Sequence, residues 1–217
     1  PHVRTASHVQ EVMIRMKKAV ILKKKRNIKP YVTPAMLRNV AAAMLPLYRA
    51  LAHHDKFAQL WSKYVRKADL TRLLKLLRIA APSASKESLS VNGIGYFVSF
   101  MQPAPVYLFM NGTAIPPGKV QFYYEKSAVQ KISAAVLPLY SKLAKSRCFA
   151  NAFARAVRRN DRAIMNRIVR GVVKSQALKS VSIENAGIVL KFKFPNSKYE
   201  YEHMLLCELV QRKKPKA

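Results

Sequence analysis

The feature that most constrains this chain is an internal repeat. Ala-Ala-Ala-Met-Leu-Pro-Leu-Tyr at 41–48 returns as Ser-Ala-Ala-Val-Leu-Pro-Leu-Tyr at 133–140, an offset of 92 residues. Held without a gap, that offset lays residues 41–107 over 133–199 with 21 identities in 67 positions. They include Pro46/Pro138, Tyr48/Tyr140, Phe57/Phe149, Arg66/Arg158, Asp69/Asp161, Arg78/Arg170, Gly95/Gly187 and Phe100/Phe192. Most other positions keep their hydrophobic type. Such a chain is expected to be a tandem duplication that builds one supersecondary unit twice.

Each unit reads as helices followed by strands. Thr33 and Pro34 have the N-cap and N1 chemistry of a helix start, and Ser127 is expected to open the second unit. The first helix carries Pro46 or Pro138 inside its pattern, which predicts a kink or restart. A second helix is expected over 56–68 and 148–160. Asp69 and Asp161 stand as N-caps of a third, running to about 80 and 173. Leu70, Leu73, Leu74 and Leu77, and Ile164, Met165, Ile168 and Val172, supply its apolar stripe.

Beyond these helices the hydrophobic period drops to two. Leu89 and Val91, the glycine turn at 92–95, then Phe97 and Phe100 predict a hairpin. Its counterpart runs Val181, Ile183, a turn at Asn185-Ala186-Gly187, and Val189 to Phe194. A third strand is expected at Val106–Met110 and Lys198–Leu205, and a fourth at Lys119–Glu125. The order predicts an α+β fold: a helical segment and an antiparallel meander, twice. The boundaries are a basic N-terminal helical arm at 1–32, repeat units at 33–118 and 119–211, and a basic tail at 212–217. In the arm, Ser7 and Gln10 have capping-box spacing.

Charge then narrows the function. The chain has 40 Lys and Arg against 10 Asp and Glu, a formal net charge of +30. Half of its residues are hydrophobic, so it is no disordered polycation. Excess charge on that scale calls for a polyanionic partner. The balance is +8 over residues 1–30, +7 over 31–118 and +15 over 119–217. Basic positions keep register between the units: Lys63/Arg155, Arg66/Arg158, Lys67/Arg159, Lys75/Arg167 and Arg78/Arg170. Positions 63, 66 and 67 share one helical face. Lys174 is expected to extend the third helix of the second unit by a turn, and Arg162 to open it. Between Lys142 and Lys179 the only acid is Asp161, whereas solvated faces ordinarily mix signs. Repeated cations at fixed spacing suit backbone phosphates rather than base edges. Lys23, Lys24, Lys25 and Arg26 add a basic cluster to the arm.

Other chemistries find little support. The carboxylates are scattered, and no serine or cysteine sits in a recognisable catalytic setting, so no enzyme is expected. His53-His54-Asp55 and His203 with Cys207 offer too few ligands for a metal, and no cofactor is expected. Cys148 and Cys207 read as two reduced thiols. Tyr123, Tyr124, Tyr199 and Tyr201 could stack bases, although core tyrosines are the commoner case. From Ser88 to Gly118 no residue is charged, but Gln102, Pro103 and Pro105 interrupt its apolar part. It suits strands better than a membrane span, so a membrane partner is not expected. Pro1, with no charged-then-apolar leader behind it, points to a cytoplasmic, nucleoid or virion-associated protein without a signal peptide.

The expected function is therefore non-enzymatic nucleic-acid binding, of DNA or RNA, by a packaging, nucleocapsid or nucleoid protein. The alternative is a self-assembling shell, coat or crystal-forming protein, a homo-oligomer using the uncharged 88–118 region as its interface. A membrane-active basic protein is a lesser possibility.

Overall fold

The computed structural model describes residues 32–103 and 108–207. The basic arm with Lys23, Lys24, Lys25 and Arg26, and the tail at 212–217, lie outside the described residues.

The chain is α+β. The first half runs α1 (Pro34–His53), α2 (Asp55–Arg66), α3 (Leu70–Ala80), a 3-10 turn (Ala84–Lys86), β1 (Ser88–Val91), β2 (Gly95–Met101) and β3 (Leu108–Ala114). The second runs α4 (Lys126–Lys145), α5 (Arg147–Arg159), α6 (Arg162–Arg170), β4 (Leu178–Glu184), β5 (Gly187–Phe192) and β6 (Tyr201–Cys207). Every helix and strand of the second half starts within two residues of the 92-residue offset from its counterpart.

Local chemistry sets most of these boundaries. Thr33 Oγ1 accepts the Met36 N–H at 3.1 Å, with Pro34 at the first helical position. Asp69 and Asp161 accept the N–H groups of Arg72 and Ile164 at 3.0 and 2.9 Å. These bonds satisfy donors that a helix start leaves without partners.

Several expectations are corrected. The N-cap of α4 is Glu125, not Ser127, and its side chain makes no capping bond. Neither helix restarts at its proline, Pro46 or Pro138. Ala42 and Ala134, whose carbonyls lose their helical donors to these prolines, are exposed, so water can take the bond. Helix α6 stops at Arg170, so Lys174 lies in the following loop and not on a further turn. Strand β3 runs past Met110 to Ala114, and the expected start at Val106 lies outside the described residues. Residues 119–125 form no strand, because Phe122 takes the left-handed conformation at φ 53°.

The six strands form one antiparallel sheet in the order β1-β2-β3-β6-β5-β4. Gly112 on β3 stands opposite Met204 on β6, its own counterpart at the 92-residue offset. The sheet therefore reads the same from either edge. Helices cover the face that carries Tyr96, Asn111 and His203. The core continues through both halves, from Leu37, Met44, Trp61 and Leu77 to Leu139, Phe153, Met165 and Phe192. Units 33–118 and 119–211 thus share one sheet and one core. Much of the uncharged 88–118 stretch is consumed here, with Leu89, Tyr96, Val98, Phe100 and Phe109 buried.

Where the halves meet, the core is polar. The rings of the counterparts Tyr48 (α1) and Tyr140 (α4) lie 4.6 Å apart. Beneath them sit another counterpart pair, Asn111 on β3 and His203 on β6. The Tyr48 hydroxyl donates to Asn111 Oδ1 at 2.6 Å. Asn111 Nδ2 donates to the Met204 carbonyl at 2.6 Å and to the Tyr140 hydroxyl. The Tyr140 hydroxyl then donates to His203 Nε2 at 2.9 Å, which leaves the proton on Nδ1 to reach Thr113 Oγ1 at 2.9 Å.

A protonated imidazole would need both ring nitrogens to donate. Burial keeps His203 neutral, with its pKa pushed down from 6.5 to about 3. Between those values the unfolded chain binds a proton that the folded chain refuses. This part of the stability is complete above pH 6.5 and is lost as pH falls towards 3, by up to about 1.4 kcal/mol per pH unit. His203→Asn, which copies Asn111, should abolish that dependence. Urea denaturation of both proteins at pH 7, 5 and 4 checks it. The difference between them is expected to shrink as pH falls, and a pH-independent difference would overturn it.

Candidate nucleic-acid interface

The basic surface is built on two equivalent helical corners, α2–α3 and α5–α6. Each first helix ends on a left-handed residue, Ala68 at φ 49° and Asn160 at φ 51°. The Asp69 and Asp161 N–H groups then reach back to the Tyr64 and Ala156 carbonyls at 2.9 Å, while their side chains cap the next helix. Asn tolerates this conformation better than Ala, which enters it at a cost. Ala68→Gly is accordingly expected to stabilise the protein by about 1 kcal/mol, with Asn160→Gly worth less. Thermal melts of the two variants check the order.

All the expected cations on these corners are exposed: Lys63 and Arg66 on α2 with Lys67 as its C-cap, Lys75 and Arg78 on α3, Arg155, Arg158 and Arg159 on α5, and Arg162, Arg167 and Arg170 on α6. Lys174 is exposed in the loop after α6.

Three of them also hold the fold. Arg66 Nη1 donates to the Tyr124 carbonyl at 3.0 Å, and Arg158 Nη1 to the Val32 carbonyl at 3.1 Å. Val32 and Tyr124 are counterparts, just ahead of α1 and α4. Each arginine thus clamps the chain that leads into the other half's first helix. Arg170 donates to the Leu178 and Lys179 carbonyls at 3.3 and 3.1 Å and ties α6 to β4.

The two corners differ in their carboxylates: Asp55 and Asp69 stand on α2–α3, and Asp161 alone on α5–α6. Asp69 pairs with Arg72 at 3.1 Å and Asp55 with Lys126 of α4 at 2.7 Å, so among the described residues Lys63, Lys67, Lys75 and Arg78 make no ion pair. In the second half Asp55 is replaced by the exposed Arg147, which sequence reasoning passed over although the offset sets it opposite an acid. Among the described residues, Arg147, Arg155, Arg159, Arg162, Arg167 and Lys174 make no ion pair. Arg147 and Arg162 are moreover the first residues of α5 and α6, where the helix dipole disfavours a cation.

Of the four tyrosines named as stacking candidates, Tyr124 and Tyr201 are core residues. Tyr123 and Tyr199 are half-buried and meet edge to face at 4.9 Å. Cys148 is exposed and Cys207 buried, both as free thiols. Among the described residues no three His, Cys, Asp or Glu side chains gather to hold a metal, and no helix is long and apolar enough to cross a membrane. No protein-family model matches the sequence, and comparison with curated proteins and with solved structures found no match.

Proposed function

We propose that this chain is a non-enzymatic structural protein that binds nucleic acid by its phosphate backbone, of packaging, nucleocapsid or nucleoid type. The observation that carries this reading is the α5–α6 corner, with six exposed cations and no carboxylate paired to them. Two of these stand where the helix dipole opposes them, a placement that a bound polyanion would reverse into a gain. The α2–α3 corner presents a weaker version of the same face. Its place of work would be a nucleoid or a virion. The test is a titration with a DNA and an RNA duplex over a salt series. Affinity is expected to fall steeply with salt, with a logarithmic slope of about −0.9 per phosphate contacted on DNA. No binding at low salt would sink the proposal.

A second reading, self-association, keeps one observation. Met101 is 59% exposed, and the neighbouring Phe97, Leu108 and Met110 are only half-buried, on the sheet face opposite Asn111 and His203. Light scattering across a concentration series decides it, and a monomer throughout would remove it.

A further inference from the structure

The loop between β3 and α4 holds an aromatic residue in a way that folding alone does not favour. Its end is firmly anchored. Tyr124 is buried, with its hydroxyl donating to the Thr113 carbonyl at 3.2 Å and its carbonyl accepting from Arg66. The next N–H, of Glu125, donates to the Tyr201 hydroxyl at 3.0 Å. Directly ahead of this anchor, Phe122 adopts φ 53° and leaves its side chain 64% exposed. The left-handed region is one that a residue with a bulky side chain rarely enters. Here the strain keeps an apolar ring in water rather than burying it, and strain of this kind gathers at functional sites. One side of the ring packs against Gly93 of the hairpin turn, where an added Cβ would come within 2.9 Å of Phe122 Cδ1, and the rest of it faces water.

The next residue along the chain leads to further rings and cations. Tyr123 meets Tyr199 edge to face, and the Lys198 ammonium lies 5.5 Å from the Tyr199 ring centroid. Arg66 reaches the same loop, and Lys67 follows it, exposed, at the end of α2. Of the neighbouring carboxylates, Glu125 accepts the Tyr123 hydroxyl and Glu200 is exposed. The patch is mixed in sign with cations in excess, so ring contact supplies what charge does not.

We propose that Phe122, Tyr123 and Tyr199 form a stacking platform for unpaired bases, with Lys198 and Lys67 meeting the adjoining phosphates, so that single-stranded nucleic acid is this surface's ligand. Unpaired bases offer their faces to aromatic rings, whereas a duplex hides them. The inference rests on the nucleic-acid reading above, but uses a different surface from the α5–α6 corner.

The experiment measures fluorescence anisotropy of a labelled dT oligonucleotide and of a DNA duplex, at one salt concentration, with the native protein, Phe122→Gly and Phe122→Gly/Tyr199→Ala. Phe122→Gly relieves the left-handed strain, so its melting temperature is expected to be unchanged or raised, and an unfolding variant cannot mimic the result. Binding of the oligonucleotide is expected to weaken by about 5- to 100-fold, as for the loss of one or two stacked bases, with duplex binding kept. Intact oligonucleotide binding by both variants, or an equal loss on both ligands, overturns the platform and leaves the duplex reading standing. If the native protein binds neither ligand, both proposals fall together.

Discussion

Replacing Arg155, Arg159, Arg162, Arg167 and Lys174 together by glutamine is expected to lower duplex affinity by about a thousandfold or more at low salt. The logarithmic salt slope should become shallower by about 4.5, since each of five phosphate contacts contributes about 0.9. The loss should be nearly the same for every sequence, because backbone contacts carry no base information. The parallel set on the other corner, Lys63, Lys67, Lys75 and Arg78 to glutamine, should cost less, because it removes four cations rather than five from a corner that carries two carboxylates, Asp55 and Asp69, rather than one. Arg66 and Arg158 form a deliberate contrast. Truncating either leaves a carbonyl of the α4 or α1 lead-in without its donor, so stability should fall by about 1–2 kcal/mol with little change in slope. Anisotropy titrations in stepped salt and urea denaturation separate the two outcomes. Equal slopes for the native protein and the five-site variant would remove α5–α6 from the interface.

That contrast also explains how far the site was legible. Arg66 and Arg158 stood among the expected binding residues, with arginine at both positions of the offset. They are retained in type because both guanidinium groups reach equivalent carbonyls, a geometric task that lysine's single ammonium fits less well. Lys63/Arg155 and Lys67/Arg159 keep charge but not type, which is all that a phosphate asks of a surface residue. Phe122 carried no signal. Its alternation with Val120 and Tyr124 looks like a strand, and only the anchoring of Tyr124 on the Thr113 carbonyl shows why the chain turns outward before it.

The fold was legible where short-range chemistry decides it. Asp69 and Asp161 declared their helices, and Gly95 and Gly187 recur because neither start of a central hairpin strand has room for a side chain. A Cβ would come within 2.2 Å of the Ala114 Cβ at the first and 2.1 Å of the Leu205 carbonyl at the second. The end of α6 was not legible, since Ile168 and Val172 continue the helical period past Arg170 while the chain tightens through Gly171. Nor was the joining of the halves. Strand β3 pairs with β6 across roughly ninety residues of chain, and each strand pattern taken alone is equally consistent with two separate meanders.

The joint itself is where a single change should do most damage. Asn111→Ala is expected to destabilise the protein by about 3–5 kcal/mol, a large part of what a domain of this size holds. Asn111 is fully buried and serves three partners at once. The Met204 carbonyl can only accept, which fixes the amide orientation: Nδ2 towards Met204 and Tyr140, Oδ1 towards Tyr48. Removing the amide strips the Tyr48 hydroxyl of its acceptor and the Met204 carbonyl of a side-chain donor, in a place water does not reach, and leaves a cavity besides. Tyr48→Phe removes one bond and should cost only about 1–2 kcal/mol, whereas Tyr140→Phe breaks the link to both Asn111 and His203 and should cost more. Combining Tyr48→Phe with Asn111→Ala should cost less than the sum, because the phenylalanine no longer needs the lost acceptor. Urea denaturation of the three single variants and this double variant measures each quantity. A cost below about 1 kcal/mol for Asn111→Ala would mean that apolar packing of α1 and α4 on the central strands holds the halves together without the polar joint.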